Sequence, residues 1–327
     1  MPGLLTAIVA FAASSLGTRL FIDWLHARNL VAVENHRTMH TGAIPQGGGV
    51  PVVMAILATS LVMGAWTSDD WSIGSLALVL AILSGINDRV DLPPLVRLAV
   101  HAGAAMGAVA LLPASVLILH GWLPWALDRL VVVLALVWFM NLYNFMDGID
   151  GITGVETISI TVGALIVGHV AGVPLDMDGL TLAILGASAG FLVWNWHKAR
   201  IFLGDVGSIP LGFLAGFILL KLAASTSLAA ALILPLYYLT DATLTLVRRL
   251  LRGEKVWEAH REHAYQRAAR AVGSHAAIAL RIAACNSVLI VLAVVALSLP
   301  MLAFAMAALT VATLMAHLEA IASRAKT

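Results

Sequence analysis

Charge is what this sequence has least of. Asp, Glu, Lys and Arg make up 11% of its 327 residues, less than half the share of about 25% in soluble domains. A water-soluble fold is set aside on that ground, together with disorder, collagen-like repeats and coiled coils. The net charge of +1 lacks the basic excess of a nucleic-acid binder, so no nucleic-acid partner is expected. There is one cysteine, Cys285, inside an apolar run. This excludes a disulfide within the chain and a cysteine-ligated zinc site. Apolar and polar residues do not alternate, which excludes a closed β-barrel. A basic n-region is also missing: the first arginine, Arg19, follows the first apolar stretch, so that stretch reads as a spanning helix rather than a cleavable signal peptide.

What is present is hydrophobic sequence, 61% of the residues, with a mean hydropathy of +0.95. A spanning helix needs about 20 apolar residues. Eleven segments qualify, at 3–21, 47–66, 72–86, 95–112, 127–145, 152–170, 180–196, 206–224, 226–247, 276–298 and 301–322. The third and seventh are short, and the last boundary rests on Pro300. The expected fold is an all-α polytopic membrane protein of 10–11 transmembrane helices. With the N-terminus outside, 17 of the 19 Lys and Arg residues fall on the inner side, and only Arg129 and Lys221 fall outside. That asymmetry is the positive-inside pattern, and it supports the count.

The inner connections carry the chemistry. Five stand out: NHRTMHTGAIPQGGG (35–49), GINDRVDLPP (85–94), NLYNFMDGIDG (141–151), NWHKARIFLGDVGS (195–208) and HREHAYQR (260–267). A transport pathway would place polar groups at mid-membrane depth. Here they gather at one interface, as in an enzyme drawing one substrate from the cytosol and another from the lipid.

Asp147 and Asp150 are three apart, on one face of any helix they occupy. Close carboxylates repel unless a cation or basic partner intervenes, and hard oxygen donors suit Mg2+ or Mn2+. Solvated acids at a helix end would be the ordinary reading of an isolated Asp-Gly pair, but Asn141 and Asn144 beside it weaken that reading. Asp205 opens a span ahead of Gly207 and Ser208, where free N–H groups favour phosphate; an N-capping aspartate is an equal alternative. Phe202 is an interfacial anchor or a platform for a stacked base. Asp88 and Asp91 repeat the three-residue spacing beside Arg89, where a loop salt bridge is the plain alternative. His260 and His263 are phosphate donors when protonated, or acid–base groups near neutral pH; zinc is disfavoured there. The flanking arginines also suit a helix lying on anionic lipid. Gly47–Gly49 permit tight backbone entry into the second span, and His36, Arg37 and His40 add cationic donors suited to a diphosphate. Asp241, late in the ninth span, is a functional candidate by position, or a structural partner for Arg248.

Together these motifs resemble the polyprenyl-phosphate N-acetylhexosamine-1-phosphate transferases (glycosyltransferase family 4). NFMDGIDG and FLGDVGS at this separation are specific to that family, and the resemblance spans about residues 35–267. HREHAYQR looks most like the O-antigen-initiating branch. The resemblance implies a single transferase domain over 1–327, with a basic cytoplasmic loop at 248–275, in the bacterial inner membrane. It implies that undecaprenyl phosphate attacks a UDP-N-acetylhexosamine with Mg2+ (or Mn2+), that UMP leaves, and that the product initiates a surface glycan such as lipopolysaccharide. Asp205 would hold the metal. Phe202 would stack on uracil and Asn195 would line the nucleotide pocket. Asn144, Asp147 and Asp150 would bind nucleoside and sugar phosphate, with Asn141, His40, Gly48 and Arg261 as further substrate-binding candidates. His260 and His263 would meet the diphosphate, and Asp88 or Asp91 would serve the lipid phosphate. Membrane lipids are expected partners, and a homodimer is left open. The family usually carries two adjacent aspartates where this chain has Asn87–Asp88, so a weakened enzyme stays among the alternatives, as does a transporter or flippase for an anionic lipid. Gln46, where arginine is common, and Ala43–Ile44, where Pro–Thr is common, are lesser departures.

Overall fold

The computed structural model describes residues 2–30, 44–63, 68–90, 92–173, 178–255 and 260–324. The expectations for His36, Arg37, His40 and Asp91 fall outside these residues. Thirteen helices follow one another in the described chain: α1 (Pro2–Ala27), α2 (Gly49–Val62), α3 (Ser68–Val90), α4 (Pro94–Ala110), α5 (Trp125–Phe145), α6 (Ile152–Val170), α7 (Asp178–Asn195), α8 (Asp205–Ser225), α9 (Leu228–Ile233), α10 (Leu236–Leu251), α11 (Ala264–Val272), α12 (His275–Val295) and α13 (Pro300–Arg324). Strand pairing among the described residues is limited to one isolated parallel bridge, Gln46 to Phe202.

The chain is an all-α polytopic membrane protein. Seven helices, α1, α3, α5, α6, α8, α12 and α13, are long and apolar enough to cross a membrane, and α2, α4 and α7 are apolar but shorter. The expected segment 226–247 is not one helix. It divides at Pro235 into α9 and α10, because proline has no N–H for the ladder and its ring crowds the preceding turn. The boundary at Pro300 does separate two helices, with proline in the first position of α13, where its missing N–H costs nothing.

One hydrophobic core runs from Ala10 on α1 to Leu318 on α13. α8 lies within it: every residue from Val206 to Leu219 is buried, as expected of a helix apolar on all sides. α1 and α7 pack with unusual closeness. A Cβ on Gly186 would stand 2.1 Å from the Ala7 carbonyl oxygen, and one on Gly190 would stand 2.3 Å from that of Phe11. Small residues four apart let two backbones meet in a membrane, where helix association rests on packing rather than on water exclusion. Ser14 donates to the Ala187 carbonyl at 2.7 Å, and the Trp194 indole donates to the Ser15 carbonyl at 2.9 Å.

The described parts of the five polar motifs all lie at one end of this bundle. They occupy the N-terminal ends of α2, α6 and α8, the C-terminal ends of α3, α5 and α7, and α11 with the chain before it. The opposite end of α5 explains Arg129, an exception to the charge asymmetry. Its guanidinium is buried and donates to the carbonyls of Val109, Pro113 and Val116, while Asp128 accepts from the N–H groups of Ile118 and Leu119. The two side chains staple the 111–124 connection in place.

Replacing Gly190 by leucine forces side-chain carbons against the Phe11 carbonyl. Overpacking of this kind costs about 1–3 kcal/mol, and the blocked atom here is backbone, which cannot swing aside. Detergent-purified Gly190→Leu protein is expected to unfold at a lower temperature than Val193→Leu, a change on the exposed side of α7. Equal midpoints would contradict the packing argument.

Candidate active site

Two helix N-termini form the base of the site. The chain entering α2 lies beside the chain entering α8. The Phe202 N–H donates to the Pro45 carbonyl at 2.9 Å. Gly47 and Gly48 donate back to the Phe202 carbonyl at 3.1 and 2.9 Å, and Gly49 donates to Leu203 at 2.9 Å. The helices then touch: a Cβ on Gly49 would stand 2.2 Å from the Gly207 Cα. Only glycine permits this approach. The Gly48 N–H is therefore spent on Phe202, so the part of Gly48 in the site is to hold the FLGDVGS loop.

The acids converge above this base. Asp205 is the first residue of α8 and accepts from the Asn87 amide at 3.3 Å. The Asn87 oxygen in turn accepts from the Leu92 N–H at 3.0 Å, which fixes which way its amide points. An Asp88 carboxylate oxygen lies 3.4 Å from where a Cβ on Gly204 would stand. Asp147 accepts from the Thr153 hydroxyl at 2.6 Å. Burial pushes its carboxyl up to about 7, the negative charges of Asp205 and Asp150 push the same way, and the Thr153 hydroxyl opposes them. Asn144 accepts from Ser208 at 2.7 Å, joining the NFMDGIDG segment to the first turn of α8. Asn87, Asp88, Asn144, Asp147 and Asp205 thus share one corner, rich in hard oxygen donors and crowded with negative charge. That is the chemistry a divalent cation satisfies.

Three expected residues are engaged elsewhere. Asp150 is 1% exposed and contacts His197, His275 and the Ala199 N–H. Asn195 accepts from the Gly151 N–H and donates to the Ile201 carbonyl, both at 2.9 Å, which ties the end of α7 to the loops on either side. Asn141 contacts His101 on α4 and the Val137 carbonyl.

The HREHAYQR segment approaches from the other side. Asp241 on α10 accepts from the backbone N–H groups of Ala264 and Tyr265 and from the hydroxyls of Tyr237 and Thr245. It therefore caps the start of α11, a favourable place for an anion. His263, 1% exposed, stands 3.4 Å from the same carboxylate. Arg248, the partner considered from sequence, pairs instead with Glu319. The Tyr265 hydroxyl donates to the Phe145 carbonyl at 3.1 Å, which locks α11 to the NFMDGIDG segment. The His260 ring centres 4.8 Å from that of His263. Burial, with His263 and Arg249 nearby, pulls His260 down to about 4, so it is neutral near pH 7 rather than a cationic donor. Arg261 lies between the two histidines, half-buried, and its carbonyl accepts from Arg270. The surrounding cations form a web: Arg249 and Arg252 pair with Glu254 and Glu262, and Arg267 pairs with Glu319.

Sequence reasoning missed Thr153, His197 and His275 as members or supports of the site. His197 sits inside a quoted motif, and His275 follows Ser274, the capping residue of α12. No spacing rule links any of them to Asp147 or Asp150.

A model of glycosyl transferase family 4 matches residues 71–223, a stretch that contains Asn87, Asp88, Asn144, Asp147 and Asp205. The chain is similar to a probable undecaprenyl-phosphate N-acetylglucosaminyl 1-phosphate transferase of Bacillus subtilis, 27% identical over 80% of this chain and 76% of that protein. It is 29% identical to a phospho-N-acetylmuramoyl-pentapeptide-transferase of Oceanobacillus iheyensis, over 67% of this chain and 76% of that protein. It is also 29% identical to a decaprenyl-phosphate N-acetylglucosaminephosphotransferase of Mycobacterium leprae, over 86% and 79%.

Because Asp147 holds its proton to about 7 in the folded chain against 3.8 ordinarily, the cation-free native state binds more protons than the unfolded one between those values. Stability from that proton is complete below about pH 4 and is lost as pH rises through 7. The thermal midpoint of cation-free protein is expected to fall from about pH 5 to about pH 8 more steeply than that of Asp147→Asn, and Mg2+ is expected to restore more at the higher pH. Identical pH profiles for the two proteins would refute the assignment.

Proposed function

The chain belongs to glycosyl transferase family 4, and from that premise we propose that it transfers an N-acetylhexosamine 1-phosphate from a UDP-sugar to undecaprenyl phosphate. The observation that carries this reading is the meeting of Asp88, Asp147 and Asp205 beside two helix N-termini at one end of the bundle. We place that end at the cytoplasmic face of a bacterial inner membrane, with the N-terminus outside, because the inner loops hold most of the Lys and Arg. HREHAYQR favours the O-antigen-initiating branch, hence a role in lipopolysaccharide synthesis.

A phosphate oxygen of undecaprenyl phosphate forms a bond to the β-phosphorus of the nucleotide sugar. The bond from that phosphorus to the bridging oxygen breaks, and UMP departs with the oxygen and its electron pair. A dianionic lipid phosphate and a dianionic nucleotide sugar become a dianionic lipid diphosphate and dianionic UMP, so the charge balances with no proton transferred. The nucleophile needs no base, since a phosphate monoester has its second pKa near 6. This accommodates Asn87, which cannot act as a carboxylate base and instead holds Asp205 through its amide.

The oxygen-rich corner fits Mg2+, with Mn2+ as the substitute. Asp205 would hold it, with Asp147 and Asp88 adjacent. When bound, it supplies neutralisation of the diphosphate and of the departing UMP. The residues of the chain position the rest. Phe202 would stack on uracil, His260 and His263 would meet the diphosphate, and the paired helix termini favour the phosphates electrostatically. A transporter is less well supported, because two buried acids that could mark a pathway are both engaged, Asp241 in capping α11 and Glu156 with Asn286 at 2.7 Å.

Purified full-length protein given undecaprenyl phosphate and a panel of UDP-N-acetylhexosamines is expected to release UMP only with Mg2+ or Mn2+. Losing a charge contact worth several kcal/mol at about 1.4 kcal/mol per decade should cut turnover of Asp205→Asn at least about a hundredfold. Full turnover in that variant would refute the metal assignment.

Asn87→Asp tests the base-free route. It is expected to leave turnover within about threefold of the parent, half a decade or about 0.7 kcal/mol. A rise of tenfold or more would show that a carboxylate base had been missing.

A further inference from the structure

We infer that Asp150, His197 and His275 form a second metal site, separate from the acids around Asp205, which takes a borderline transition cation such as Zn2+. The three residues come from three distant parts of the chain: the turn before α6, the loop after α7 and the first residue of α12. Their donor atoms all lie within 4.8 Å of one another. One Asp150 carboxylate oxygen is 2.8 Å from Nδ1 of His197 and 3.3 Å from Nδ1 of His275, and the two rings centre 5.2 Å apart.

The donor chemistry selects the cation. Two imidazole nitrogens and one carboxylate oxygen suit zinc and its neighbours, whereas Mg2+ prefers oxygen donors alone. Donors about 2.0–2.1 Å from a tetrahedral zinc stand roughly 3.3 Å apart, so small side-chain adjustments convert the observed set into a tripod with one position left for water. Nδ1 of His275 lies 3.3 Å from both the Asp150 N–H and an Asp150 carboxylate oxygen, so ring and carboxylate already converge on one point. The Ala199 N–H donates to the same oxygen at 3.2 Å, an outer contact of the kind that orients a liganding carboxylate.

An entry path exists. The Asp150 side chain is fully buried and that of His275 is 7% exposed, but His197 is 21% exposed. His197 lines an open groove of about 330 Å3 with Trp194, Trp196, Lys198 and Arg200. A cation there would fasten the turn that carries Asp147 to the loop that leads to Asp205 and to the start of α12. The site is structural and does not depend on the transferase reading.

The test uses the full-length protein, purified in detergent without a histidine tag. Metal content by mass spectrometry is expected to give about one zinc per chain, and Co2+ is expected to replace it with the visible absorption of a tetrahedral site. Loss of one ligand should weaken binding by at least about tenfold, the lower bound seen even for outer-shell changes. His197→Ala and His275→Ala should therefore lose both signals, while Asp205→Asn should keep them. Chelation should lower the thermal midpoint of the parent but not of His197→Ala. Should His275→Ala fail to fold, the partly exposed His197→Ala decides alone. A parent protein that holds no zinc and takes up no Co2+, or a His197→Ala protein that retains both, would overturn the proposal.

Discussion

At Gly49 the chain comes so near to Gly207 that a methyl group would stand 2.2 Å from the opposing Cα. The rest of the site depends on that approach. It brings the starts of α2 and α8 together, and four backbone hydrogen bonds between the 45–49 and 202–203 segments hold them there. Both helices then direct the partial positive charge of their first turns into one small volume. Asp205 stands at that point because α8 begins there, and Asn87 reaches it because α3 ends beside it. A larger residue at either glycine would part the helix ends and dissolve the corner even with every polar side chain in place.

Beside that positive base the chain brings three carboxylates, Asp88, Asp147 and Asp205, together. Asp147 responds by holding a proton to about pH 7, and Asn87 contributes an amide where another acid would add to the repulsion. The strain is local. Asp150, three residues from Asp147, is relieved by two imidazoles, and Asp241 by the capped start of α11. The corner around Asp205 gathers oxygen donors and negative charge that suit a divalent ion. Binding energy in such a corner comes from charge that is already in place, which is how phosphoryl transfer is served best.

Much of this was legible in the sequence. Hydrophobic runs located the helices, because a segment without water must satisfy its own backbone. The placement of Lys and Arg grouped five polar motifs on one side, and the structure gathers the described parts of those motifs at one end. What was not legible has physical causes. The break at Pro235 was hidden because the flanking residues are as apolar as any span. Asp241 reads as an isolated intramembrane acid until α11 is seen to begin against it. Asn195 reads as a ligand contact, but both ends of its amide are spent on the Gly151 N–H and the Ile201 carbonyl. Asp150, His197 and His275 share no local pattern, and only folding brings them together.

The close seam between α1 and α7 bears on how the molecule is built. α1 leaves the ribosome well before α7, and the glycines that receive it, Gly186 and Gly190, emerge only after five further helices have been made. Until then the face of α1 that meets α7 stays uncovered, while its contact with α2, as at Gly17 against Pro51, can already form. Closure of the bundle is therefore a late event of long sequence separation, and the vulnerable interval in biogenesis falls before the seventh helix arrives.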